Sequence, residues 1–200
     1  MNATSLPHRI MNHAAVLPEG ALLFPATLLH LGNRAAVDQA LSRLARSGRL
    51  LRICQGIYAL PVETRFGQRS PSVEKVLASL SELWGETIVP SGGASANALG
   101  LTTQMQVHPV YLTSGASRTL RFGRQVVRLH HAPRWQLAAP NRFAGAAIRA
   151  LVWLGPQAVE ENLEAIRRTV PASDFDELGN ARHRMPEWIT KPLNAMLAHG

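Results

Sequence analysis

Residues 33–61 carry the pattern that most restricts how this chain folds. Asn33 is a good N-cap, and over 34–47 the apolar residues Val37, Leu41 and Leu44 recur on one side of a helical period, with Ala40 beside them. Gly48 follows as a C-terminal stop. Two short β-prone runs come next, 50–54 and 57–60, separated by Gln55-Gly56 and closed by Pro61. A two-residue connection of that kind signals a hairpin. Upstream, Pro25 opens a short helix over 25–31, which Gly32 ends. Helix, tight turn, second helix and hairpin in this order predict a winged helix-turn-helix.

On the second helix, the side opposite the apolar stripe carries Ala35, Gln39, Ser42, Arg43 and Arg46, with Asp38 on the flank. In a helix-turn-helix the second helix enters the DNA major groove and its N-terminal side chains reach base edges. Gln39 suits a bidentate bond to adenine, and Arg43 or Arg34 suits guanine O6 and N7. Asn33 stands at the head of the same helix. Ser42, Arg46 and Arg49 are placed for phosphates, which position a protein without reading sequence. Arg52 and Gln55 lie on the wing, toward the backbone or the minor groove. The competing reading is a winged helix used only for protein contacts, with a solvated basic face.

Charge supports a polyanionic partner. The formal net charge is +8, and residues 1–70 hold 8 basic against 3 acidic side chains, residues 71–200 13 against 10. Lys75 and Lys191 are the only lysines, so the charge is arginine, whose planar fork matches phosphate and guanine. A length of 200 residues allows one large domain or two small ones, and a 46% hydrophobic content is ordinary for a packed core. The single cysteine, Cys54, excludes an internal disulfide and reads as a small buried strand residue. The apolar run 146–154 is broken by Arg149 and is too short to cross a bilayer. With no leader pattern at the N-terminus, the expected location is cytoplasmic, without a membrane partner.

The remaining chain reads as follows. Leu6, Ile10, Ala14 and Leu17 predict a helix over 1–17, ended by Pro18-Glu19-Gly20. Residues 62–71 are polar and contain Gly, Ser and Pro, which predicts a linker. The expected division is therefore 1–61 as the winged helix-turn-helix, 62–71 as the linker and 72–200 as a second domain. Val73, Val76, Leu77, Leu80 and Leu83 make an amphipathic helix ending at Trp84-Gly85. Strands are expected near 87–90, 110–113, 119–122 and 126–130, and helices over 95–101, 142–154, 156–168, 173–181 and 187–198. The fold class is α+β: an N-terminal winged helix-turn-helix, then a C-terminal mixed α/β domain ending in several helices.

A second cationic stretch holds Arg118, Arg121, Arg124, Arg128 and Arg134 with His130 and His131, and no acid falls between 118 and 134. It is either more DNA surface, a clamp for an acidic partner, or a sheet edge protected by charge. The His pair has no Cys, Asp or Glu near it, so no metal is expected. Ser91-Gly92-Gly93-Ala94-Ser95 lacks the Lys-Ser/Thr of a phosphate loop and reads as a strand-to-helix turn. Asp174 and Asp176 form the only Asp-x-Asp pair, at an expected helix start. With no G-x-S-x-G and no H-E-x-x-H, no catalytic residue or cofactor is assigned and the chain is not read as an enzyme. A nucleic-acid-processing enzyme using the arginine-rich sheet is the alternative from that class.

The segment AVDQALSRLARSGRLLRICQGIYALP, residues 36–61, resembles the winged helix of AbiEi-like antitoxins of type IV toxin–antitoxin systems. Residues 88–127 resemble the central part of the second domain in a compact branch of that family. The residues carrying that likeness are Pro90-Ser91-Gly92, Asn97, Leu99-Gly100-Leu101, Tyr111-Leu112-Thr113 and Ser117-Arg118. Together the matches cover about half the chain. The resemblance implies a protein, monomeric or weakly dimeric, whose N-terminal domain binds an inverted-repeat operator in double-stranded DNA and represses its own operon. Its C-terminal domain would counteract a nucleotidyltransferase-like toxin, without a stable complex being required. The alternative within the same area is a stand-alone winged-helix regulator whose second domain senses a ligand or mediates dimerisation.

Overall fold

The computed structural model describes residues 5–104 and 107–198. Its first helix, α1 (Leu6–Ala15), buries Ile10 and Ala14 as the spacing predicts; positions 1–4 of the expected helix lie outside the described residues. After β1 (Leu22–Leu23) the chain makes a 3₁₀ turn, Pro25–Leu28, where an α-helix was expected over 25–31. The bonds there run three residues back, Thr27 N to Phe24 O and Leu31 N to Leu28 O, so the segment stays tighter than an α-helix. Next come α2 (Arg34–Arg46), β2 (Leu51–Cys54), β3 (Ile57–Ala59), β4 (Val62–Thr64), β5 (Gly67–Arg69) and α3 (Val73–Trp84). They are followed by β6 (Ile88–Pro90), α4 (Gly92–Ala98), β7 (Val110–Thr113), β8 (Arg118–Phe122) and β9 (Gln125–His131). Four helices end the chain: α5 (Phe143–Leu154), α6 (Val159–Thr169), α7 (Ala172–Ala181) and α8 (Glu187–Ala198). The class is α+β, as read from the sequence.

The chain forms two compact units. The first runs to Glu86 and takes in Thr119–Val127 as well; the second holds Thr87–Arg118 and everything from Arg128 on. This division differs from the expected one at 62–71. Those residues are not a bare linker: β4 and β5 pair antiparallel, Val62 opposite Arg69, and Gln68 Nε2 donates to Glu63 Oε1 across the strands at 2.6 Å. Polar composition matched a flexible segment, but β-branched Val62 and Thr64, with Gly67 opening the return strand at positive φ, suit a hairpin equally well.

In the first unit β3 lies between β1 and β2, with Ala59 opposite both Leu22 and Leu51. Its core gathers Ile10, Leu23, Leu28, Val37, Leu41, Leu44, Leu50 and Tyr58. Fully burying an aliphatic side chain is worth about 1.5–3 kcal/mol, so the Val37–Leu41–Leu44 stripe alone fixes which side of α2 faces inward. Cys54, expected to be buried, is half-buried at the end of β2, next to the hairpin turn.

Glu19 organises the other end of this unit. Its carboxylate accepts from Lys75 Nζ at 2.6 Å, Arg69 Nη1 at 2.8 Å and the Ser72 backbone N–H at 2.9 Å. These bonds, to Lys75 first, pull its pKa down to about 2. The turn at 18–20 is thereby tied to β5 and to the start of α3. Gly20 packs so closely that an added Cβ would lie 2.6 Å from Lys75 Cβ.

In the second unit β7 pairs antiparallel with β6 (Ile88 opposite Thr113) and parallel with β9 (Val110 opposite Arg128). The helical core holds Ala144, Ala147, Ile148 and Leu151 of α5 with Leu163, Ile166, Phe175, Leu178, Ile189 and Leu193. α4 starts at Gly92, earlier than the helix expected over 95–101, because Ser91 caps it and both glycines enter the helix. The reason is proximity: a Cβ on Gly92 would collide with the Arg149 backbone and with Trp153 Cβ. The expected strand-to-helix turn over Ser91–Ser95 is thus reduced to Ser91, and Gly92–Ser95 is the first turn of α4, with Gly92 and Gly93 buried.

Candidate nucleic-acid interface

Asn33 Oδ1 accepts from Ala36 N at 2.9 Å, so this side chain starts α2 and its oxygen is committed to the helix. Arg34 Nε meets Asp38 Oδ2 at 2.9 Å, an exposed i,i+4 pair. Arg46 donates to Ser42 Oγ at 3.3 Å, one turn apart. Between these tied pairs, Gln39 and Arg43 are exposed, and Asp38, Gln39, Ser42, Arg43 and Arg46 line one shallow depression on the helix surface. Arg49 follows α2, Arg52 stands on β2 and Gln55 on the turn between β2 and β3; all three are exposed. The first unit therefore presents the nine side chains singled out in the sequence, of which Ser42 alone is half-buried. Four of them, Asn33, Arg34, Ser42 and Arg46, already hold a partner within α2 that leaves them less of their bonding capacity for a ligand.

The second cationic stretch lies on β8, β9, the turn between them and the residues after them, and its members are assigned to both units. Arg121 and Arg124 lie in Thr119–Val127 and belong to the first unit, whereas Arg118, Arg128, Arg134, His130 and His131 belong to the second. Strand alternation buries Leu120, Phe122, Val127 and Leu129 and leaves Arg121, Arg128 and His130 outward. Arg118 is half-buried and donates from Nε to Ala116 O at 3.0 Å. His131 is held by Gly115 O at 2.8 Å through Nδ1 and by Ser117 Oγ at 2.8 Å through its backbone N–H. Among the described residues no three His, Cys, Asp or Glu gather as a metal-binding group. Asp174 and Asp176 both sit in α7, where residues two apart point roughly 200° from one another, so they do not converge.

Sequence reasoning missed Arg149. This residue is 3% exposed in the middle of α5, with Nε unpartnered and one 3.5 Å bond from Nη1 to Gln136 O. Burial lowers its pKa to about 10, which leaves it charged at neutral pH. Among the described residues it makes no ion pair. The sequence offered only an arginine interrupting an apolar run; its helical period, which puts Arg149 one turn after Gly145, was the available signal.

The profile of DUF6088, a family of unknown function, matches residues 9–173. The chain belongs to the DUF6088 family. The match runs from α1 into α7, so both units of this DUF6088 chain are part of what defines the family. No curated protein and no solved structure matches the chain. Among the described residues, no helix is long and apolar enough to cross a membrane.

Proposed function

We propose that this DUF6088 protein is a sequence-specific, duplex-DNA-binding transcriptional repressor, acting through a winged helix-turn-helix in its first unit. The observation that carries this reading is the outer face of α2. Gln39 and Arg43 stand exposed there without an acidic partner among the described residues, on a helix held by its opposite face and followed by a hairpin bearing Arg52 and Gln55. Arg43 and Gln39 read base edges, and Arg46, Arg49 and Arg52 hold phosphates. The operator is an inverted repeat in the protein's own promoter.

The test is binding of the full chain to a duplex selected by the protein from a random pool. Arg43→Ala should cost about 1–3 kcal/mol on that duplex and relax the preference at one base pair. Unchanged affinity and unchanged preference would overturn the assignment of α2 as the reading helix. The resemblance of residues 36–61 and 88–127 to AbiEi-like antitoxins supports a second role, counteracting a nucleotidyltransferase-like toxin encoded alongside. Co-expression of the full chain with the adjacent gene should rescue growth, in the wild type and in Arg43→Ala alike; a wild type that gives no rescue from an active toxin removes the antitoxin role.

A stand-alone regulator with a ligand-sensing second unit is the other reading that a specific observation favours. A buried guanidinium without a carboxylate is costly unless an anion neutralises it, and Arg149 is such a group. If the second unit takes an anionic ligand there, phosphate or a nucleoside phosphate should raise the thermal midpoint of the wild type and not of Arg149→Met.

A further inference from the structure

The chain leaves the second unit at Arg118, makes a hairpin, and re-enters at Arg128. The tip of that excursion is Gly123, which takes φ +63°. Its Cα lies so near the first unit that an added Cβ would be 3.3 Å from Ser70 Oγ and 4.0 Å from Leu51 Cδ2. Ser70 Oγ donates to Phe122 O at 3.0 Å and locks the tip in place. Leu120, Phe122 and Val127 are buried, so the hairpin is part of this unit's packing and not a loose appendage.

What this placement does to charge is specific. Arg121 and Arg124 flank the tip and both are exposed. Leu51, whose Cδ2 lies 4.0 Å from a Cβ built on the tip, is two residues after Arg49 and immediately before Arg52. The excursion thereby adds two exposed arginines to the first unit, which also carries Arg49 just before β2 and Arg52 on it. None of these four enters an ion pair among the described residues, while Glu19, Asp38 and Glu63 are bound to Lys75, Arg34 and Gln68 respectively.

We propose that the β8–β9 tip is a phosphate-contacting element of the DNA interface, with Arg121 and Arg124 gripping the backbone of the duplex that α2 reads. The inference rests on the DNA-binding reading above. Arg121 near the end of β8 and Arg124 on the turn offer charge and forked donors, which suit phosphates, and such contacts carry no sequence information. Each phosphate neutralised releases counterions and adds about 0.9 to the slope of log K against log salt; two contacts add about 1.8.

The experiment measures affinity of the full-length protein from low to moderate NaCl on two duplexes, one selected by the protein and one of the same length with scrambled sequence. Replacing Arg121 and Arg124 together by Ala should weaken both duplexes by the same factor and lower both slopes by about 1.8. Replacing the pair by Lys should restore most of the slope. Arg167→Ala with Arg168→Ala, an equal charge change on α6, should leave the slopes where they were. The inference is overturned if the Ala pair binds and responds to salt as the wild type does while Arg43→Ala still weakens the selected duplex; the tip then serves another partner and the DNA reading stands. It is also overturned if the Lys pair fails as badly as the Ala pair, or if the α6 pair lowers the slopes equally. A wild type that binds neither duplex removes the DNA-binding reading and this inference with it.

Discussion

Gly20 and Gly48 share a backbone problem and differ in surroundings, and the difference can be measured. Both hold positive φ, +89° and +74°, where a side chain costs about 1–2 kcal/mol. Nothing lies within 4 Å of a Cβ built on Gly48. At Gly20 the same Cβ meets Lys75 Cβ at 2.6 Å and Lys75 C at 2.9 Å, and the second of these is backbone of α3. Gly48→Ala should therefore cost about 1–2 kcal/mol, from conformation alone. Gly20→Ala should cost that plus about 1–3 kcal/mol for forcing α3 away, a total of about 2–5 kcal/mol. Urea unfolding of each variant of the full chain, followed by circular dichroism, gives the two midpoints. The reasoning fails if Gly20→Ala is no worse than Gly48→Ala, because α3 would then not be seated on the 18–20 turn.

Two further outcomes follow from the same framework. Glu19 has its pKa lowered from the usual 4.5 to about 2, so its contribution to stability is fully present above pH 4.5 and is lost as pH falls toward about 2. Glu19→Gln should flatten that part of the stability–pH curve, and an unaltered acid limb in urea titrations between pH 2 and pH 6 would refute the role given to this carboxylate. Arg149→Met in α5 removes a buried charge that no carboxylate among the described residues balances, and should leave the thermal midpoint unchanged or raise it in buffer without added anions; a loss above about 3 kcal/mol would mean that Arg149 holds the fold by itself.

How much of this was legible in the sequence depended on how far each cause reaches along the chain. α2 and α3 were readable to within a residue, because Asn33, Gly48, Ser72 and Gly85 mark their ends locally and each has an unbroken apolar stripe. β1 was not, since Leu22 and Leu23 become a strand only through pairing with Ala59 and Tyr58, some 35 positions away. Residues 62–71 have the polarity of a linker, and only their register against one another makes them a hairpin. The candidate site divides the same way. Exposure of Gln39, Arg43 and Arg46 follows from helical period alone. The membership of Arg121 and Arg124 in the first unit goes with the burial of Leu120, Phe122 and Val127, and no local pattern records it. Glu19 carried no motif; its importance comes from where Arg69, Ser72 and Lys75 fold back to meet it.

Because Thr119–Val127 belongs to the first unit although it lies in the second half of the sequence, that unit is not built from one continuous stretch. A single cut after Glu86 would strip the N-terminal piece of three apolar plugs and leave sticky gaps behind. Recombination that swaps one half for a foreign module must carry the inserted ribbon along or produce a misfit. That is a physical reason for such a protein to be inherited whole.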